Sequence, residues 1–232
     1  YLYLMEFKEP LLQGTLIKRY KRFFADIKYK NNTLIAHCPN TGSMHGLLVK
    51  GNKVFFSKSD DPKRKLKYTL EIIEDKNSLV GINTLFTNKI VLDALKNKKI
   101  KELAKFTEIK SEVKFNKQTR FDFLLSNNSE KCFLEVKNVT LKRNKNLAEF
   151  PDAPTSRGLK HLNELCLAKK KGYKSYLLFL VQRTDCDSFA VAQDIDKEYW
   201  STFKKAIKKG VKMISYDCKL NYEEIKLNKQ IK

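Results

Sequence analysis

At 232 residues and 42% hydrophobic, the chain can fill one large domain or two small ones and bury a core, which excludes a disordered tail. Its 47 Lys and Arg outnumber 26 Asp and Glu, for a net charge of +21, so its surface attracts polyanions. No apolar run approaches the roughly eighteen residues of a membrane span, and no membrane partner is expected. The stretch from Tyr1 to Lys8 lacks the basic and apolar regions of a secretory signal, with Met5 a candidate natural start. The five cysteines (Cys38, Cys132, Cys166, Cys186 and Cys218) are scattered and make no C-x-x-C pair. They point to a reducing, cytoplasmic compartment and exclude a cysteine-based zinc site. Bias towards Lys over Arg does not by itself create a surplus over Asp and Glu, so the charge points to nucleic acid.

Residues 7–82 read as a β-rich, turn-rich unit. Strands are expected over Leu11 to Lys18, Tyr20 to Lys28, Thr33 to His37, Val54 to Ser57 and Tyr68 to Glu74. Asn31-Asn32 and Gly51-Asn52 mark turns, and Pro39 to Gly46 is a polar loop. Five or six short strands in this length suggest an OB-like barrel. Within it, Arg19, Lys21 and Arg22 interleave with Tyr20, Phe23 and Phe24, and Lys63, Arg64 and Lys65 form a dense basic stretch. That mixture suits a backbone-tracking, base-stacking surface. Gly42 would allow close approach to a phosphate.

The pattern changes at residue 83, and 83–232 reads as a mixed α/β sandwich. A helix, interrupted near Asn97, covers Ile90 to Phe106, and Ile109 to Phe115 is a strand. Two further strands follow, Arg120 to Leu125 and Lys131 to Leu141. Arg143 to Pro154 is expected to be loop. Thr155 or Ser156 caps a helix that Gly172 closes. The run Tyr176 to Val181 fits a strand buried on both faces. A helix over Asp196 to Lys209 and a last strand, Val211 to Tyr216, complete the order.

The chemistry centres on Asp122, Glu135 and Lys137. Ionised acids set among apolar residues are costly unless paired or metal-bound. Glu135 and Lys137, two apart in a strand, share a face. Glu-x-Lys occurs six times in this Lys-rich chain, so the tripeptide alone says little, and a cross-strand ion pair explains it as well. If the strands are neighbours, Asp122, Glu135 and the carbonyl of Val136 could hold Mg²⁺ or Mn²⁺. Lys137 would then stabilise charge developing on a phosphate. On the following helix, about 100° per residue clusters Arg157, His161 and Glu164 opposite Leu159, Leu162 and Cys166. Arg157 would hold a phosphate there, and His161 and Glu164 would position water or metal.

These residues resemble the sugar fermentation stimulation protein A family over nearly the whole chain. The resemblance is carried by R-Y-K-R-F-F-A-D (19–26), H-C-P-N-T-G-S-M (37–44), S-K-S-D-D-P-K-R-K-L-K-Y-T-L-E (57–71) and V-G-I-N-T (80–84). It continues through R-F-D-F-L-L (120–125), L-E-V-K-N-V-T-L (134–141), F-P-D-A-P-T-S-R-G-L-K-H-L-N-E-L (150–165) and L-F-L-V-Q-R (178–183). It implies an N-terminal OB domain and a C-terminal PD-(D/E)xK nuclease-like domain, with the motif on Asp122, Glu135 and Lys137. The first acid follows Phe121 where the motif has a proline. DNA, single- or double-stranded, is the implied partner, and self-association stays open. The expected function is Mg²⁺-dependent phosphodiester hydrolysis. The alternative is a DNA-binding regulator of sugar, notably maltose, metabolism that keeps the fold and cuts nothing. A carbohydrate- or nucleotide-binding module is a third class, which the charge disfavours.

Overall fold

The computed structural model describes residues 6–232, so the reading of Tyr1 to Met5 lies outside the described residues. The first unit is built from β1 (Leu12–Tyr20), β2 (Phe24–Tyr29), β3 (Asn32–His37), β4 (Lys53–Lys58), β5 (Tyr68–Asp75) and β6 (Ser78–Gly81). β1 pairs with β2 and β4, β2 with β3, and β4 with β5, all antiparallel. A parallel pairing of β3 with β5, through Ala36↔Tyr68 and His37↔Thr69, closes five strands into a barrel. Closure removes the open edges that would otherwise invite aggregation. Leu16, Ala25, Ile27, Ala36, Val54, Phe56 and Leu70 fill it, all buried. β6 extends the sheet beyond β5.

The second unit begins with α1 (Thr87–Lys96) and continues with β7 (Glu108–Lys114), β8 (Arg120–Ser126), β9 (Lys131–Val139), β10 (Leu141–Asn144) and β11 (Leu147–Phe150). Then come α2 (Ser156–Lys170), β12 (Lys174–Val181), β13 (Ser188–Val191), α3 (Lys197–Lys208), β14 (Lys212–Leu220) and β15 (Ile225–Gln230). Its main sheet runs β15-β14-β12-β9-β8-β7. The central β9, β12 and β14 are parallel, and β12 is buried along its length from Ser175, as its unbroken apolar run requires. Ile90, Val91 and Ala94 of α1 cover one face. Leu162, Leu165 and Ala168 of α2 and Tyr199, Phe203 and Ala206 of α3 cover the other. Thr155 Oγ1 caps α2 by accepting from Gly158 N at 3.0 Å, and Asp196 Oδ1 caps α3 by accepting from Tyr199 N at 2.8 Å.

Two expectations change. The region expected to be loop after residue 143 contributes β10 and β11, which join β13 in a small second sheet. The strand from 211 is not the last, because β15 pairs antiparallel to β14 at the sheet edge.

The two units meet at several places, among them the Phe55 and Tyr222 rings, 4.4 Å apart, and two hydrogen-bonded contacts. Gly81 N donates to Gln182 O at 2.9 Å and Thr184 N to Leu79 O at 3.2 Å, so β6 pairs with the chain leaving β12. Arg183 stands between them, 1% exposed, and donates to Thr140 O, Asp75 Oδ2 and Asp185 Oδ1. At the second place, Asp152 Oδ2 accepts from Met44 N at 2.9 Å and Ser43 Oγ donates to Asp152 O at 2.7 Å. A Cβ on Gly42 would come within 2.6 Å of Asp152 Oδ2. The missing side chain at Gly42 therefore leaves room for this contact.

Candidate active site and nucleic-acid interface

β8 and β9 pair from Ser126↔Lys131 up to Phe123↔Leu134, and the ladder stops there. One more step in register would set Asp122 opposite Glu135. Instead, Asp122 Oδ2 accepts the Val136 N–H at 2.7 Å, and Oδ1 accepts from Asn88 Nδ2, in the first turn of α1, at 2.8 Å. A side chain has taken the backbone donor that a strand neighbour would use, so the strands part where the acids meet. A strand residue turns its N–H and C=O to the same neighbour, so the Val136 carbonyl also faces this gap.

Glu135 is 2% exposed. Its Oε1 accepts from Lys137 Nζ at 2.8 Å and meets His161 Nδ1, which itself lies 3.2 Å from Lys137 Nζ. Its Oε2 is buried without a partner. Burial would raise the Glu135 pKa, but the Lys137 ammonium and then His161 outweigh it and hold the carboxyl below its ordinary value. Asp122 goes the other way. Burial, then the Glu135 charge, push it up to about 6.

That shift has a sign. A carboxyl with a raised folded-state pKa contributes most stability below its unfolded value and loses it as pH rises through about 6. Metal-free protein should therefore lose up to roughly 3 kcal/mol between about pH 4 and 6 from this group. Asp122→Asn should lack that slope and be more stable than wild type at neutral pH, by roughly 1–3 kcal/mol, in chelator-treated urea denaturation. Equal pH slopes in the two proteins would refute this assignment.

The residues read as one polar helix face separate in the structure. His161 lies on the buried face of α2 with Gly158, Leu162, Leu165 and Ala168, where it meets Glu135. Its partner, not its polarity, decides its burial. Glu164 is half-buried and accepts from Asn116 Nδ2 at 2.7 Å, beside the β7–β8 turn. Arg157 is exposed at the start of the helix.

The basic stretches of the barrel converge. The His37↔Thr69 pairing brings the β1–β2 turn beside the β4–β5 loop. Phe23, 42% exposed, has its ring 6.4 Å from that of His37, and Arg64 donates to Thr69 Oγ1 at 2.9 Å. Burial, then the Arg64 charge, lower the His37 pKa, so a neutral ring is favoured beside Phe23. Lys21, Arg22, Lys63 and Lys65 are exposed around it. Lys21 and Arg22 hold the left-handed turn at φ 46° and 61°, positions where Asn or Gly would be less strained. Arg19 is engaged differently. It donates to the carbonyls of Arg22, Asn40 and Gly42, bracing the 40–44 loop.

A family model described as the SfsA N-terminal OB domain matches residues 17–82, and one described as the sugar fermentation stimulation protein RE domain matches 85–224. The chain belongs to the sugar fermentation stimulation protein family. A sugar fermentation stimulation protein homolog of Pelagibacter ubique is 60% identical over 98% of both chains. Another, of Marinomonas sp., is 45% identical over 98% of this chain and 89% of its own. The structure of Pyrococcus furiosus SfsA in complex with Ca²⁺ aligns with TM-score 0.89 and 24% identity, covering 98% of this chain and 97% of that one. At that identity it shows the shared fold: an OB barrel followed by a mixed α/β domain.

Three residues near Asp122 and Glu135 escaped sequence reading. Asn88 gave no signal beyond a helix start. Glu112 was visible only as one of the uninformative Glu-x-Lys pairs. Yet the Ser111↔Phe123 and Val113↔Phe121 pairs set it opposite Asp122, at φ 53°, and its Oε1 accepts from the same Asn88 amide at 3.2 Å. Tyr199 has a buried hydroxyl without a partner, and burial followed by the Glu135 charge raises its pKa. No helix among the described residues is long and apolar enough to cross a membrane.

Proposed function

We propose that this protein binds DNA and hydrolyses its phosphodiester bonds in a divalent-cation-dependent reaction at Asp122, Glu135 and Lys137. The observation that carries this reading is the pair of buried carboxylates on parting strands, with the Lys137 ammonium against one of them. An ordinary structural ion pair does not leave Glu135 Oε2 buried and unpartnered, or keep an acid at about 6.

The donor set fits a hard cation. Asp122, Glu135 and the Val136 carbonyl offer oxygen only, which suits Mg²⁺, Mn²⁺ or Ca²⁺. Among the described residues no three His, Cys, Asp or Glu side chains are grouped to hold a metal, so water and phosphate oxygens would supply the remaining ligands. The Pyrococcus furiosus relative's Ca²⁺ supports a divalent ion here. Such an ion would supply positive charge that polarises the phosphodiester and makes water more acidic.

The protein's own groups do the rest. Lys137 is fixed by Glu135 and lies 3.2 Å from His161, so its ammonium is placed without a search to donate to phosphate oxygens as their charge grows. His161 holds the Glu135 carboxylate from the α2 side and limits its rotation. Asn88 orients Asp122 from the α1 side. The Phe23–His37 pair, the exposed cations Lys21, Arg22, Lys63 and Lys65, and half-buried Arg64 track and stack the nucleic acid. Arg157, at the entrance of α2, supplies a further phosphate contact.

Two titrations test the reading. Calorimetry with Mn²⁺ should show binding by wild type and none by Asp122→Asn. DNA affinity, followed by anisotropy, should fall steeply with salt, by about 10³-fold or more between 50 and 200 mM if six or more phosphates are contacted. A flat salt response sinks the DNA part, and equal Mn²⁺ uptake by the variant sinks the metal part.

A further inference from the structure

The seam between the two domains encloses a cavity of about 290 Å³. Its walls come from residues 40–42, Thr84, the end of β9 with Thr140 and Leu141, and residues 149–155. In a chain of net charge +21, not one Lys or Arg lines it. Its polar groups are amides, hydroxyls and two carboxylates. Glu149 is already matched by Arg143 at 2.8 and 2.6 Å, and Asp152 by the Met44 N–H. Phe150, Pro151 and Pro154 add flat apolar surface. A phosphate here would face two carboxylates and no cation. The occupant that fits is an uncharged ring bearing hydrogen-bonding groups, and the volume, at the low end for ligand cavities, holds one such unit.

Position narrows the class. Asn138 follows Lys137 in β9, so at about 3.3 Å per residue this wall starts beside the site and runs roughly 10 Å past it. Thr155 caps α2, which carries His161. On the other side, Arg19 ties Arg22 of the basic turn to the carbonyls of Asn40 and Gly42 at the cavity wall. Thr41, exposed, lines the cavity on this side, between the basic turn and the end of β9.

We propose that the seam cavity receives an unpaired nucleoside unit, the base and sugar of a nucleotide adjoining the one whose phosphate meets Lys137. This rests on the nucleic-acid reading of the site. It makes unpaired DNA the preferred substrate and the domain seam a part of the binding surface.

The test compares an ordinary single-stranded oligonucleotide with an abasic one of equal length, both in chelator, by anisotropy. Thr41→Trp plugs the mouth. It should weaken binding of the ordinary strand about tenfold, the worth of one stacked base, and leave the abasic strand unchanged, which also shows that the variant is folded. Thymidine at millimolar concentration should compete for the ordinary strand on wild type but not on Thr41→Trp, and glucose on neither. If Thr41→Trp binds the ordinary strand as wild type does, or if glucose competes and thymidine does not, the proposal is overturned. If wild type binds neither oligonucleotide, the nucleic-acid reading falls with it, a result distinct from losing the cavity alone.

Discussion

Lys137→Ala is expected to slow DNA cleavage by about 10²–10³-fold, the usual cost of removing one preorganised donor aimed at a developing anion. Its ammonium is held by Glu135 Oε1 at 2.8 Å and lies 3.2 Å from His161 Nδ1, so wild type spends nothing on placing it at the moment of reaction. Arginine should not restore the activity, since a planar fork does not fit a position shaped around a point charge. The loss should appear in the rate and not in DNA affinity, which the exposed cations of the barrel carry. The same substitution removes the foremost of the interactions that keep Glu135 ionised against its burial. Its carboxyl should then take up a proton more readily, and a thermal melt should record the change as altered pH dependence and not as unfolding. Cleavage at the wild-type rate by Lys137→Ala would remove Lys137 from the chemistry.

Arg183→Ala should be the most destabilising single change of those considered, by about 3–5 kcal/mol in urea denaturation, because it removes a buried cation and strands the half-buried carboxylates of Asp75 and Asp185 and the buried Thr140 carbonyl. Arg183 is 1% exposed and bridges Asp75 of the barrel, Asp185 and the carbonyl of Thr140. Burial would raise Asp185, but hydrogen bonds from Arg183 and then Lys142 bring it down to about 2. A depressed carboxyl contributes fully above its unfolded pKa, near 4, and loses that contribution as pH falls through about 2. Acid unfolding of wild type should therefore include this seam, and Arg183→Ala should flatten that part of the curve. A loss under about 1 kcal/mol would mean that the domains do not depend on this contact for stability.

How much of this was legible beforehand depended on whether one residue or one pairing carried the information. β12 announced itself, because burial on both faces demands an unbroken apolar run. The cap at Thr155 was equally local. Asp122 and Glu135 stood out because charge inside an apolar strand is costly. What escaped depends on register. Glu112 reaches the site only because β7 sets it opposite Asp122 and its backbone turns left-handed there, which nothing about a glutamate foretells. Helical periodicity grouped His161 with Arg157 and Glu164 on one polar face, whereas its carboxylate partner draws it alone into the core. β15, with Lys226, Asn228 and Lys229 among its residues, looks like loop until β14 offers it an edge. Arg183 gave no signal beyond its place in L-F-L-V-Q-R, and the seam around it exists only in three dimensions.

The central claim concerns one reaction, and one assay reaches it. End-labelled single- and double-stranded DNA is incubated with purified wild type in Mg²⁺ or Mn²⁺, alongside chelator-treated wild type and Lys137→Ala. The account predicts shortening of the DNA by wild type only when the divalent ion is present, with the variant slower by about two to three orders of magnitude. DNA left equally intact by wild type and variant in both metals would contradict it, and the protein would then be a DNA-binding member of the family that keeps the geometry of the site without its reaction.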